Sequence, residues 1–253
     1  MRYWACTGTL GEDIPFQEKE FISGRKFMTK LYNAARFVAG ATKDFDYSKF
    51  DARKAQFRQT DLWILSRLNS VIAEATESFE RYEFSKAIIP VRNFFWLEFA
   101  DYYIEEIKYR IYNENEPARK EAQYCLVKSF SEVLKMLAPF LPHITEEIMQ
   151  ENFKEHMKTK SIHLEKWPTA DKKLISKEAE QTGAVMNATV SLIRKEKNRK
   201  GVSLNSPVKN AAITVVKEKT SALKKTSEEI KKTMNIGALE ILEGAEEKAE
   251  ITV

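Results

Sequence analysis

The chain has 253 residues, long enough for one large domain or two smaller ones. Its 41 lysines and arginines against 37 aspartates and glutamates give a formal net charge of +4, compatible with a polyanionic partner without demanding one. Cys6 and Cys125 have no CxxC or Cys/His companion, which speaks against a disulfide framework or a zinc site and for a reducing cytoplasm. No apolar run approaches about 18 residues, so no membrane span is expected, and "MRYWACTGTLGED" lacks the apolar core and cleavage pattern of a signal peptide.

The first periodic segment is "EKEFISGRKFMTKLYNAARFV", Glu18 to Val38. At about 100° per residue, Gly24, Phe27, Met28, Leu31, Ala34, Ala35 and Val38 form a core-facing stripe. A second stripe collects Lys19, Ser23, Lys26, Lys30, Asn33 and Phe37. Cations beside a ring suit a single-stranded nucleic acid loop, because phosphates need charge and splayed bases need a flat surface. The alternative is that a neighbouring helix covers Phe37 and the lysines are solvated. Arg36 faces another side and is expected as an internal ion-pair partner.

A polar, aperiodic loop follows. "TDLWILSRLNSVIAEATESFERY" then resumes helical spacing, with Thr60 or Asp61 as expected N-cap. A third helix is expected from Ser85 to Tyr112, kinked at Pro90 or beginning in earnest after it. Its stretch "FFWLEFADYYIEEIKY" is apolar around much of its circumference, as in a central buried helix. A fourth helix, Glu116 to Leu137, follows possible caps Asn113 and Asn115. A fifth, "APFLPHITEEIMQENFKEH", starts at Pro142 with Glu146 and Glu147 placed in its first turn. The pattern predicts a mainly α chain: an antiparallel helical bundle over residues 1–160.

After His156 the composition changes. "KTKSIHLEKWPTADKK" reads as an extended connector, assigned to 161–175, in which Ile162, Leu164 and Trp167 alternate with polar residues. Residues 176–253 are expected to hold a helix from Ser176 to Lys200, ending in the basic cluster "RKEKNRKG", and a small α/β subdomain. Its strands are "VKNAAITVV", "KAEITV" and a third candidate, "LEILE", and "SALKKTSEEIKKTM" supplies a helix on the sheet.

Little in this inventory suggests catalysis. The three histidines, His143, His156 and His163, form no i,i+4 pair, and neither a Walker A loop nor a GxGxxG occurs. Asp101, Glu105 and Glu106 read as a solvated face or ion-pair partners. The residues describe a binding module.

They also carry a resemblance. "MRYWACTGTLGEDIPFQEKEF", "GRKFMTKLYNAARFV", "DLWILSRLNSVI", "RYEFSKAIIPVRNFFWLEFADYYIEEIK" and "LAPFLPHITEEI" stand in the order and approximate spacing of the C-terminal region of valyl-tRNA synthetases. "IHLEKWP" and "IRKEKNRKGVSLNSPVKNAAI" extend the resemblance to about Val216, and the tail looks like the short archaeal type. The resemblance implies a class I anticodon-binding bundle from an enzyme that joins valine to its tRNA with ATP and magnesium. The HIGH and KMSKS signatures are absent, so an excised C-terminal piece without a cofactor of its own is expected, inactive as a ligase by itself. Arg2 and Trp4 would then face the missing catalytic domain.

The resemblance also implies that Lys19, Lys30 and Phe37 meet the anticodon loop, with Phe37 stacking on a base. A family arginine replaced by lysine at position 19 would lose a planar fork. From the residues alone, Lys26 and Asn33 share the stripe, and Arg194, Lys195, Lys197, Arg199 and Lys200 could meet tRNA phosphates or form a solvated helix end. The expected partner is the anticodon stem-loop of valine tRNA, bound by a monomer. The rivals are a protein-protein interaction scaffold and an isoleucyl-type anticodon domain.

Overall fold

A computed structural model of the chain describes residues 1–154 and 159–252. The expected end of the fifth helix at His156 lies outside them. A short helix α1 (Arg2–Ala5) precedes α2 (Glu18–Ala41), α3 (Gln59–Glu80) and α4 (Phe84–Asn93). α4 runs without a break through wide, π-helical turns at Phe94–Tyr103 into α5 (Ile104–Ile111). α6 (Arg119–Leu137) and α7 (Pro142–Ile148) follow, α7 again passing into π-helical turns at Met149–Phe153. The C-terminal part comprises α8 (Lys177–Arg199), β1 (Val208–Val215), α9 (Lys217–Met234), β2 (Ile236–Glu243) and β3 (Lys248–Thr252). The chain is thus a helical bundle followed by a small α/β unit. Among the described residues no helix is long and apolar enough to cross a membrane.

The stripe predicted for α2 is the buried one: Phe27, Leu31, Ala35 and Val38 are fully enclosed. Phe27 stacks on Tyr3 of α1 at 5.4 Å and meets Phe95 edge-on at 5.5 Å. Phe95, Phe99 and Phe130 continue this aromatic seam into α6, so the stretch read as central does lie at the core. Trp4 is half-buried between Phe16 and Phe21, at 6.1 and 5.3 Å, so the ring expected to face another domain is partly covered from within.

Several end effects differ from expectation. The helix expected from Ser85 to Tyr112 runs from Phe84 to Ile111, within one residue at each end, and only the alternative of a start after Pro90 falls. The N-cap of α3 is Arg58, and Thr60 and Asp61 lie inside its first turn. α6 begins three residues late, at Arg119, and Asn113 instead turns the loop by accepting from the Asn115 N–H at 3.1 Å. Glu146 is past the first turn of α7. Its carboxylate holds the following loop, accepting from the Ser161 hydroxyl at 2.8 Å and the Ile162 N–H at 2.9 Å. In the connector Ile162 is buried and Trp167 donates to Thr76 Oγ1 at 2.8 Å, but Leu164 is exposed, because short 3₁₀ turns replace the extended run.

In the α/β unit β1 is central, parallel to β2 and antiparallel to β3. Val208, Ala211, Ile213 and Val215 of β1 and Leu223, Ile230 and Met234 of α9 form a cluster with Met186, Val190 and Ile193 of α8. α8 serves both parts, since its opposite side packs on α3, where Gly183 lies directly against the Trp63 ring. A Cβ at 183 would overlap the indole, so glycine sets how closely the two helices approach.

Two buried polar groups hold the bundle and seam. Asp61 and Arg110 are both fully enclosed, and their two charge-assisted bonds measure 2.9 and 2.8 Å. Burial disfavours the Arg110 charge, but the Asp61 carboxylate outweighs it and leaves the guanidinium above its ordinary pKa. At the seam, the Glu229 carboxylate of α9 accepts from the backbone N–H groups of Gln59 and Thr60 at 3.1 and 3.2 Å, capping α3 from another element.

Glu106 on α5 corrects the expectation of a solvated or ion-paired carboxylate. It is buried, and one of its oxygens has no partner among the described residues. With the Asn187 amide turned so that its nitrogen faces Glu106 Oε1, it donates across 2.8 Å. Burial, joined by the nearby Glu229 carboxylate and opposed by Arg194, pushes the Glu106 carboxyl up to about 8.

Removing the Arg110 guanidinium strands a buried carboxylate, so Arg110→Met should lose about 3–5 kcal/mol in urea-induced unfolding. For Glu106 the folded pKa lies above the unfolded one, so its contribution is complete in acid and is lost as pH rises through about 8. The thermal midpoint should therefore fall between about pH 5 and pH 9, and Glu106→Gln should flatten that fall.

Candidate nucleic-acid interface

The second stripe of α2 is only partly exposed, with Ser23, Lys30 and Phe37 half-buried. Lys19, Lys26 and Asn33 are exposed, and none has a hydrogen-bond or ion-pair partner among the described residues. Lys30 is turned inward along the helix: its Nζ lies 2.5 Å from Asp101 Oδ1, donates to the Trp96 carbonyl at 3.3 Å and sits 4.1 Å from the Trp96 ring centre. Of the two roles open to Asp101, a solvated face or an ion-pair partner, it takes the second, and its lysine comes from the candidate stripe.

Phe37 is half-buried, its ring packed against the edge of the core. It lines an open cleft of about 400 Å³ with Arg36, Gly40, Ala41, Ile111, Tyr112, Glu114 and Arg119. Arg36, expected in an internal ion pair, is exposed with no carboxylate in ion-pair range among the described residues. Arg119 is tied down, bonding Asp44 at 2.5 and 3.2 Å and the Ile111 carbonyl at 3.1 Å. That guanidinium lowers the pKa of the Asp44 carboxyl. The cleft combines two rings with an unpaired guanidinium, which are the elements of base stacking and phosphate attraction.

The basic end of α8 is less uniform than its sequence. Lys195 is exposed and unpaired among the described residues. Arg194 donates to the Asp101 carbonyl at 3.3 Å, and its guanidinium lies 5.4 Å from the Tyr102 ring centre. Asp101 therefore joins the α2 stripe to α8, through its carboxylate on one side and its carbonyl on the other. Arg199 bonds Glu196 through two nitrogens, both at 2.7 Å, and Lys200 donates to the Ile251 carbonyl.

Lys197 leaves the candidate surface altogether. It is fully enclosed, and its ammonium donates to the carbonyls of Leu204, Ser206 and Met234 at 2.8, 2.8 and 2.9 Å. All three protons are spent on backbone, so none remains for a phosphate. Burial lowers its pKa. Among the described residues no group of histidine, cysteine, aspartate or glutamate side chains converges as a metal site.

The family description "Anticodon-binding domain of tRNA ligase" matches residues 61–213. The chain belongs to this family. The matched part of the anticodon-binding domain begins in α3, so the α2 stripe lies outside it. Over nearly its whole length the chain is similar to valine–tRNA ligases. It is 41% identical to that of Pyrococcus horikoshii over 244 residues, covering 96% of this chain and 27% of that protein. It is 36% identical to that of Methanothermobacter thermautotrophicus over 253 residues, again 27% of the relative. The chain thus spans little more than a quarter of these relatives. Among solved structures, a LeuRS-tRNA-LeuAMS ternary complex from Agrobacterium radiobacter K84 resembles it with a TM-score of 0.53 at 18% identity, covering 70% of this chain and 20% of that one, a likeness of fold.

The anticodon-binding domain carries one ring beside Phe37 that helical spacing does not single out. Tyr112 ends α5 and is 71% exposed. The available signal was the tyrosine series 102, 109 and 112 along one helix, absorbed into the general aromatic density of that stretch. Because Lys197 braces the turn between α8 and β1, Lys197→Met should lower the thermal midpoint and leave the salt dependence of any RNA binding unchanged. Lys195→Gln should do the reverse, as read by thermal melts and binding titrations at two salt concentrations.

Proposed function

We propose that this chain is the anticodon-binding domain of a valine–tRNA ligase and that it grips the anticodon stem-loop of valine tRNA along α2. The observation that carries the reading is the row of exposed, unpaired Lys19, Lys26 and Asn33 leading to the half-buried Phe37 at the mouth of a cleft. The lysines and Lys195 attract phosphates and set register, Asn33 offers a donor and an acceptor to a base edge, and Phe37 stacks on an unpaired base. Lys30 acts indirectly by fixing α2 against Asp101. Arg194 and Arg199 belong to the phosphate-facing set only where an RNA phosphate displaces their present partners. The similarity to valine–tRNA ligases supports the choice of valine isoacceptors.

In this reading the ligase reaction, with its ATP and magnesium, belongs to the rest of a longer cytoplasmic, monomeric enzyme. Its catalytic domain is the intramolecular partner, and the exposed Leu10, Phe16 and Ile22 near α1 offer it an apolar seat.

Binding of the valine anticodon stem-loop and an anticodon-swapped control, measured by fluorescence anisotropy at two salt concentrations, tests the proposal. Salt-sensitive preference for the valine loop is expected, and Phe37→Ala should weaken binding about tenfold, in line with the roughly 1–3 kcal/mol of one base stack. Equal, salt-insensitive binding to both RNAs would reject it in favour of a protein-binding scaffold, and preference for an isoleucine loop would reassign the specificity.

A further inference from the structure

The Phe37 cleft shares a wall residue with a second cleft, and that one shares two with a third. Tyr112, which lines that cleft, also lines a second one of about 630 Å³ between the bundle and the α/β unit, bordered by Glu105, Lys108, Tyr109, Arg194, Lys232 and Thr233 among others. Tyr109 and Lys232 in turn line a third, of about 480 Å³, beside Lys231 and Asn235. The exposed ring of Tyr112 therefore lines both the cleft beside α2 and the one at the seam.

The charges along these clefts are unevenly spent. Lys108 pairs with Glu105 at 2.6 Å, Lys231 with Glu228 at 3.1 Å, and Arg119 with Asp44. Glu116, however, is shared by two cations, Arg58 and Lys232, the latter at 3.4 Å. Both also lie against the Tyr109 ring, at 5.9 and 5.6 Å from its centre. Arg194 has only a carbonyl and the Tyr102 ring for partners, and Arg36 has no ion pair among the described residues. Glu114 is the carboxylate that opposes this surplus at the cleft mouth. A positive track that alternates with flat rings is the arrangement that holds a single strand, phosphates on the cations and bases on the rings.

We propose that the RNA loop does not end at Phe37 but runs on over Tyr112 into the seam, so that Tyr112 stacks on a second base and Lys232 of α9 meets the following phosphate. The inference rests on the RNA-binding reading above and adds to it that the α/β unit is part of the RNA site.

The test uses the same valine stem-loop with 2-aminopurine at successive loop positions, bound to wild type, Phe37→Ala, Tyr112→Leu and Lys232→Gln, each checked for native circular dichroism. Tyr112 and Lys232 are both surface side chains, so the variants retain the core. Tyr112→Leu should weaken binding about fivefold or more and restore 2-aminopurine emission at one position that Phe37→Ala leaves quenched. Lys232→Gln should weaken all loops alike and reduce the salt slope by about 0.7, the share of one phosphate contact. If wild type binds and Phe37→Ala impairs it, while Tyr112→Leu and Lys232→Gln stay within about twofold of wild type, the extension is overturned and the anticodon reading survives. If wild type fails to bind the stem-loop, both fall.

Discussion

The arrangement depends first on the enclosed pair Asp61 and Arg110. The Asp61 carboxylate takes four donors: the Arg58 N–H, the Tyr103 hydroxyl and two guanidinium nitrogens of Arg110. Arg110 also bonds the Ala118 carbonyl just before α6. One ionic cluster thereby fixes the start of α3, the end of the long helix and the entry to α6. Such a pair adds little net stability over an apolar substitute, but half of it alone is costly, and the geometry it enforces is specific. Tyr109 and Tyr112 flank Arg110 in sequence, so the placement of both groove tyrosines follows from a charge that never sees solvent.

The seam between the bundle and the α/β unit carries several directional polar contacts. Glu229 reaches from α9 to the N-terminus of α3, and Thr233 donates to the Glu106 carbonyl at 3.1 Å. Ser66 and Ser70 both donate to the Glu180 carboxylate of α8, at 2.9 and 2.8 Å. Trp63 against Gly183 supplies the close apolar contact. Directional bonds of this kind fix orientation, which is what a groove built from two parts requires.

Much of this was legible in the sequence because it rests on local periodicity. The core face of α2, the burial of Phe95 and Phe99, the strand at Val208 and the C-terminal helix-on-sheet unit all follow from spacing. What escaped depends on partners far away in the chain. Lys197 looks like one more cation in "RKEKNRKG", and only the convergence of three distant carbonyls makes it internal. Glu106 sits between Glu105 and Ile107 like any surface acid, and only α8 and α9 enclose it. The N-terminus of α3 looked self-capped because the glutamate that caps it lies about 170 residues later. In the candidate site, Phe37 was legible as a ring out of phase with its helix, and Tyr112 was not, since aromatic residues crowd its neighbourhood.

The wide turns at Phe94–Tyr103 have a geometric consequence. Bonding from i to i+5 closes each ring with one more residue than i to i+4, and each residue of an ordinary helix advances the face by about 100°. The segment therefore works as a phase adjuster within one continuous rod. Upstream, Ile88 and Val91 are keyed to the bundle interior; downstream, the same rod presents Glu106 and Arg110 inward while Tyr109 and Tyr112 emerge at the groove. A uniform α-helix of the same sequence would aim its two ends by a single repeat. The change of winding lets one helix answer to two different neighbours, the bundle interior at its start and the α/β unit at its end.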